Sequence, residues 1–214
     1  MIITEEMLDA LRRQVSAGMS LRRFVHTAEV EKMAAYLGSI YEPDKIPLLR
    51  AAALLHDVTK EYPQETQIEL CREYGVELEA DAYFAPKTLH ARTAAAIIPE
   101  KFPDFADAEI ISCVRYHTTG RADMTLSEKL IYLADYIEDT RTFEDCVILR
   151  NQFYSGISEA NTVEDRLAVL RKTMITSFDM TIRCLISEGA LVDRDTLEAR
   201  NWFILNEIQM ERGL

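Results

Sequence analysis

Residues 47–58 read PLLRAAALLHDV and residues 130–137 read LIYLADYI. These two stretches decide the fold. In the first, Pro47 suits the opening turn of a helix. Apolar residues then cover nearly every face until His56 and Asp57 interrupt them. In the second, Asp135 stands alone among apolar residues and tyrosines. Helices that are apolar all round are buried, so both are expected at the centre of an all-α bundle. A carboxylate buried without a partner costs several kcal/mol. Two such acids and an imidazole are hard to explain as packing, and a divalent metal accepts both ligand types.

Outward from this centre, helical signals cover nearly the whole chain. Thr4 can cap a helix through about Ala17, with Gly18 closing it. Ser20 can cap a second helix to about Leu37, with Gly38 at its end. The third is LLRAAALLHDV after Pro47. Pro63 opens a fourth that ends before Gly75, and a loop is expected from Gly75 to Thr88. LHARTAAAII (89–98) should close before Pro99. Asp107 can cap AEIISCVRYH (108–117), and Ser127 begins SEKLIYLADYIED (127–139). A long helix is predicted after Thr162 and a last one from Thr196. Tyr154 to Asn161 is the best candidate for a flexible excursion. The expectation is about eight to ten helices in a single domain, 1–214, with 162–214 as buttressing helices.

Composition narrows the function classes. At 48% hydrophobic, the 214-residue chain is not disordered. Only 7 Gly and 6 Pro argue against a many-stranded sandwich or barrel. The net charge of −12 speaks against a general grip on nucleic acid or an anionic membrane, so an anionic substrate must meet locally gathered cations. No run of about eighteen apolar residues suggests a membrane span, and the opening MIITEEMLDALRR has no leader character. Cys71, Cys113, Cys146 and Cys184 are widely spaced, each expected as a small core residue in a reduced, cytoplasmic protein.

The chain has four histidines, His26, His56, His90 and His117. Taken alone, His90 reads as a hydrogen-bonded structural residue, and Asp135 as an acid paired with an arginine. Together with His26 and the His56-Asp57 pair they form a candidate metal set. Arg23 lies one helical turn before His26, and Lys60 three residues after Asp57. Both place a cation beside that set, where Arg and Lys are standard phosphate partners. Arg121 follows Gly120, whose backbone freedom could let a ligand approach. Solvated surface charge is the plain alternative for all three.

The order His26, His56-Asp57, Asp135 resembles the H…HD…D metal pattern of the HD-domain phosphohydrolases. RRFVHTAEV (22–30), AALLHDVTKEYP (52–63), RYHTTGR (115–121), EKLIYLADYIE (128–138) and TLEARN (196–201) narrow the resemblance to the YqeK branch. Its members are symmetrical bis(5'-nucleosyl)-tetraphosphatases, which cut diadenosine tetraphosphate into two ADP. The resemblance runs from about Leu21 to Asn201 and implies metal ligands at His26, His56, Asp57 and Asp135. It favours iron, while the donor set also admits manganese, nickel or zinc. It implies substrate contacts at Arg23, Lys60, His90, His117, Arg121 and Arg141. It gives catalytic roles to Asp57, Lys60 and His117, with a second ion near His90 and His117 as an option.

Three departures stand out. Ala91 and Arg92 follow His90 where the family has glycine, Asp139 replaces a proline, and residues near Tyr154 to Thr162 are extra. Tyr83, Phe84, Tyr116 and Tyr132 are candidates for stacking on adenine, though each also suits a core. The expected partner is a small nucleotide, and a homodimer is the guess for assembly. The alternatives are an HD hydrolase acting on another nucleotide, and a nucleotide-binding helical protein without turnover.

Overall fold

A computed structural model describes residues 2–78 and 84–212. At its centre lies α3 (Ile46–Leu55), with Pro47 in its first turn. Leu49 and every residue from Ala51 to Leu55 are fully buried. Four helices pack around it: α1 (Glu5–Ala17), α2 (Leu21–Tyr41), α6 (Ala108–Tyr116) and α7 (Leu126–Ile137). Further out, α4 (Gln64–Glu73) packs on α5 (Leu89–Lys101), and α5 on α6. The tail adds α8 (Glu144–Glu159), α9 (Val163–Ser187) and α10 (Arg194–Arg212), with α8 and α10 both against α9. The described residues thus hold ten α-helices and no strand, as the apolar patterning predicts. Each buried Leu on α3 contributes roughly 2 kcal/mol of transfer free energy.

Local chemistry sets most of the helix ends. The Thr4 hydroxyl accepts from Met7 N and that of Ser20 from Arg23 N. On α1, Leu8, Leu11 and Val15 form the buried stripe. Several expected ends move, each for a visible reason. Gly38 lies inside α2, which runs on to Tyr41. A Cβ there would stand 2.9 Å from Leu49 Cδ1 and 3.0 Å from Ile46 Cγ1. The glycine therefore lets α2 and α3 approach closely and does not stop the helix. α3 ends at Leu55, and His56 to Lys60 form successive tight turns closed by Val58 N–Leu55 O and Lys60 N–Asp57 O bonds.

α5 continues through Pro99 to Lys101, where Phe102 N bonds to Ile98 O. Thr125, not Ser127, caps α7, in a reciprocal capping box with Glu128. α10 begins at Arg194, two residues earlier than expected, because Asp193 accepts from Asp195 N. The excursion expected at Tyr154 to Asn161 is instead mostly the end of α8. There Phe153 is fully buried and Tyr154 packs against Tyr36. Cys71, Cys113 and Cys146 are buried free thiols, but Cys184 is exposed on α9, contrary to the core role expected for it. No helix among the described residues is long and apolar enough to cross a membrane.

Candidate metal centre

Five segments deliver polar side chains to one point. α2 supplies His26, one turn after Arg23. The turn after α3 supplies His56 and Asp57, and the first turn of α5 supplies His90. His117 caps the C-terminus of α6, and Asp135 lies in the last turn of α7. Three overlapping groups have ligand atoms within 4.8 Å of one another: His26–His56–Asp57, His56–His117–Asp135, and Asp57–His90–His117. Asp57 is the hinge between them. Its Oδ2 lies 3.4 Å from His56 Nε2 and 3.7 Å from His26 Nε2. Its Oδ1 lies 3.3 Å from His90 Nε2 and 3.7 Å from His117 Nε2.

The outer hydrogen bonds fix how the rings present themselves. His56 Nδ1 lies 2.6 Å from Ala53 O, and His117 Nδ1 lies 2.7 Å from Val114 O. A carbonyl can only accept, so each Nδ1 carries a proton and each ring turns its Nε2 inward. His26 Nδ1 likewise donates to Glu138 Oε1 at 3.2 Å. The inward Nε2 atoms of His26 and His56 are buried and lack a hydrogen-bond partner. His26 Nε2 is 3.0 Å from Asp135 Oδ1 but is not aligned for a hydrogen bond. Converging nitrogen and carboxylate donors, with two buried nitrogens left over, fit a divalent metal ion. His26, His56 and Asp57, with His117 and Asp135 beside them, could hold it.

Charge follows the same pattern. Burial opposes ionisation of Asp57, but His56, His117 and His90 outweigh it and hold the carboxyl well below its usual value. Burial likewise opposes Asp135, and Arg141, His26 and His56 reverse that. Burial lowers the His90 and His117 imidazoles; Lys60 pushes His90 further down, whereas Asp57 pulls His117 back only in part. For His26, burial lowers the pKa, but Asp135 and Glu138 outweigh it and raise the value to about 9.

The raised His26 value gives a pH prediction with a definite sign. A proton on folded His26 stabilises the metal-free fold, fully below the usual value of 6.5 and not at all once pH has risen through about 9. An ion needs the same nitrogen bare, so loading at pH 7.5 should release about one proton. Calorimetry in two buffers of different ionisation enthalpy measures it. Identical heats would show that His26 is not a ligand.

Five of the six expected substrate contacts stand at this centre, three of them cations. Arg23 Nη1 is 2.6 Å from Asp57 Oδ2, and Arg141 Nη2 is 2.5 Å from Asp135 Oδ1. Lys60 Nζ lies 3.1 Å from His90 Nε2 and 3.2 Å from Nδ1. His90 Nε2 is 3.1 Å from His117 Nε2. Arg121 is not brought in. It pairs with the buried Glu128 at 3.0 Å and lies over Tyr116. Glu128 precedes Asp135 by seven residues, about 10 Å along α7. The freedom of Gly120, at φ +65°, serves packing against Phe178 and not a ligand. Of the stacking candidates, Tyr132 is buried in the core, its hydroxyl 3.0 Å from that of Ser177. Tyr116 carries the Arg115 and Arg121 guanidinium groups, Phe84 is exposed, and Tyr83 lies outside the described residues.

Two residues join the site that sequence reading passed over. Glu138 is buried beneath His26 and is itself held by the Thr140 backbone N–H and hydroxyl. Thr118 Oγ1 bridges His90 Nε2 at 3.1 Å and His117 Nε2 at 3.0 Å. Both lie in quoted motifs, ADYIE and RYHTTGR. We expect Glu138→Gln to weaken metal affinity about ten- to a hundredfold, because it removes the charge that orients His26. Competition with a chromogenic chelator measures this, and unchanged affinity would detach Glu138 from the centre.

The sequence profile of the HD domain matches residues 23–140. That span opens at Arg23 and holds every proposed ligand. The chain belongs to the HD-domain family. It is 30% identical, over 83% of its length and 92% of the relative's, to a Staphylococcus aureus protein named bis(5'-nucleosyl)-tetraphosphatase, symmetrical. A Bacillus subtilis protein of the same name is 28% identical over 94% of this chain and 97% of its own. Among solved structures, a Clostridium acetobutylicum protein is described as a predicted HD superfamily hydrolase involved in NAD metabolism. It overlays with a TM-score of 0.80 at 30% identity, covering 96% of this HD-domain protein and all of the other chain.

Proposed function

We propose that this HD-domain protein hydrolyses dinucleoside tetraphosphates symmetrically, releasing two nucleoside diphosphates, with diadenosine tetraphosphate giving two ADP. The observation that carries the reading is the overlap of two donor groups, His26–His56–Asp57 and His56–His117–Asp135, beside the cations Arg23, Lys60 and Arg141; His26, His56, Asp57 and Asp135 are the proposed ligands. Kinship with relatives that bear this activity's name supports it. Iron is the proposed ion, in keeping with the YqeK resemblance.

When bound, a divalent ion supplies Lewis acidity toward water and a phosphate oxygen. The chain's own residues do the rest. The Asp57 carboxylate accepts a hydrogen bond from the attacking water and so orients it. Arg23 and Arg141, each on a ligand carboxylate, stand ready to neutralise non-bridging phosphate oxygens as charge builds. Lys60 adds a third cation. The water oxygen bonds to phosphorus, and the bond to the bridging oxygen breaks with its electron pair going to the departing diphosphate. The water's proton passes to solvent. A nucleoside diphosphate is stable as an anion, so this leaving group asks for neutralisation more than protonation. His117 turns a lone pair inward and in its neutral form acts as acceptor or ligand.

The test is product analysis with metal-loaded protein on a nucleotide panel. ADP alone from diadenosine tetraphosphate is expected. ATP with AMP would overturn the symmetrical cut. Turnover confined to mononucleotides or nicotinamide dinucleotides would reassign the substrate, and no turnover on the panel would leave a binding protein.

A further inference from the structure

The final helix reaches back to both histidines of the His90–His117 pair. Asp193 is buried at the start of α10. Its Oδ2 accepts from Thr88 Oγ1 at 3.2 Å and from Arg92 Nη2 at 3.2 Å, two residues before and two after His90. Its Oδ1 caps α10 through Asp195 N at 3.0 Å. Asp195 accepts from Arg115 Nη2 at 3.0 Å, two residues before His117, and lies 3.7 Å from Arg92. One short acidic turn therefore grips α5 and α6 at the points where they present these rings. Nothing in the reaction chemistry uses it.

The geometry points to Asp193 and Asp195 as positioning residues that set the 3.1 Å approach of His90 to His117. The C-terminal helices are on this view part of the site's support and not only a buttress. The clamp acts through neighbouring backbone. Thr88 and Arg92 fix the first turn of α5 from both sides, and Arg115 fixes the last turn of α6. Supporting contacts of this type commonly alter metal-site function ten- to a hundredfold. The inference rests on the proposed reaction only for its kinetic readout.

The experiment compares Asp193→Asn and Asp195→Asn, which keep side-chain shape, with Asp193→Glu as a charge-retaining rescue. Phe203→Leu, a core change on the same helix, serves as a control for stability loss. Two readouts are taken. Imidazole nitrogen resonances of the metal-free protein report the rings directly, and the four histidines make assignment tractable. Steady-state kinetics of the metal-loaded enzyme separate kcat from KM. We expect the Asn variants to shift His90 and His117 resonances while His26 and His56 hold. kcat should fall about tenfold or more, with KM changed less than about threefold. Phe203→Leu should do neither, and Asp193→Glu should recover part of kcat. Unmoved His90 and His117 resonances, or a kcat loss matched by Phe203→Leu, overturn the assignment. Should an Asn variant fail to fold, Arg92→Lys, which keeps the charge but loses the planar fork, is read the same way. If the wild-type protein fails to cleave diadenosine tetraphosphate, the proposed reaction falls, while the resonance shifts still decide the clamp.

Discussion

Asp57→Asn should lower turnover by about a thousandfold and leave the purified protein largely without its ion. No other side chain here faces so many partners. One carboxylate oxygen looks toward His26, His56 and Arg23, the other toward His90 and His117. An amide keeps the shape but carries no charge. It also turns an N–H₂ group toward inward-facing imidazole lone pairs, and that donor occupies nitrogens an ion would need. Ion and Arg23 alike lose their anionic partner. Elemental analysis alongside product assays checks both parts. A variant that keeps its ion and more than about a tenth of its activity would remove Asp57 from the centre of the mechanism.

Gly120→Val should cost about 3–5 kcal/mol of stability and lower the melting temperature by roughly 10 °C. Two separate faults add. The position is held at φ +65°, which a β-branched residue resists, and its Cβ would stand 2.7 Å from Phe178 Cζ and 3.2 Å from Ala199 Cβ. Gly75 separates them. It has φ +66° but nothing within 4 Å of a Cβ. Gly75→Ala should therefore cost only about 1 kcal/mol, and the excess for Gly120→Ala isolates the contact with Phe178. Denaturant melts of the three variants measure this. Equal losses for the two alanine variants would show that Phe178 simply yields. Because Gly120 follows His117 by three residues, the valine variant should also bind metal less tightly than its folded fraction explains.

The parts of this picture legible in the sequence share one property: they are misplaced in their surroundings. His56, Asp57 and Asp135 interrupt apolar runs, so burial of those runs forces a partner on them, and the bundle follows from the same runs. Glu138 was illegible because an acid just past an apolar helix ordinarily reaches solvent; only the return of Thr140 over it shows that it is enclosed. Arg121 misled for the converse reason. A cation after a glycine suggests a ligand, but its partner is Glu128, seven residues on, held in place by its capping box with Thr125. Gly38 and Pro99 looked like helix stops. At Gly38 helix-to-helix distance decides, and at Pro99 the helix has only one short stretch left to run. The acids Asp193 and Asp195 look like ordinary surface charge, since their partners lie about a hundred residues away for Arg92 and about eighty for Arg115.

The enclosure of α3 has a consequence for how the protein is made and lost. Its neighbours α2, α6 and α7 carry His26, His117 and Asp135, while His56 and Asp57 follow directly from its own C-terminus. No fragment lacking any of these strips of chain assembles the donors, so an ion held by them binds the complete fold and stabilises it. Backbone amides of α3 should then exchange with deuterated solvent only through whole-molecule opening, and added metal should slow that exchange in step with the gain in global stability.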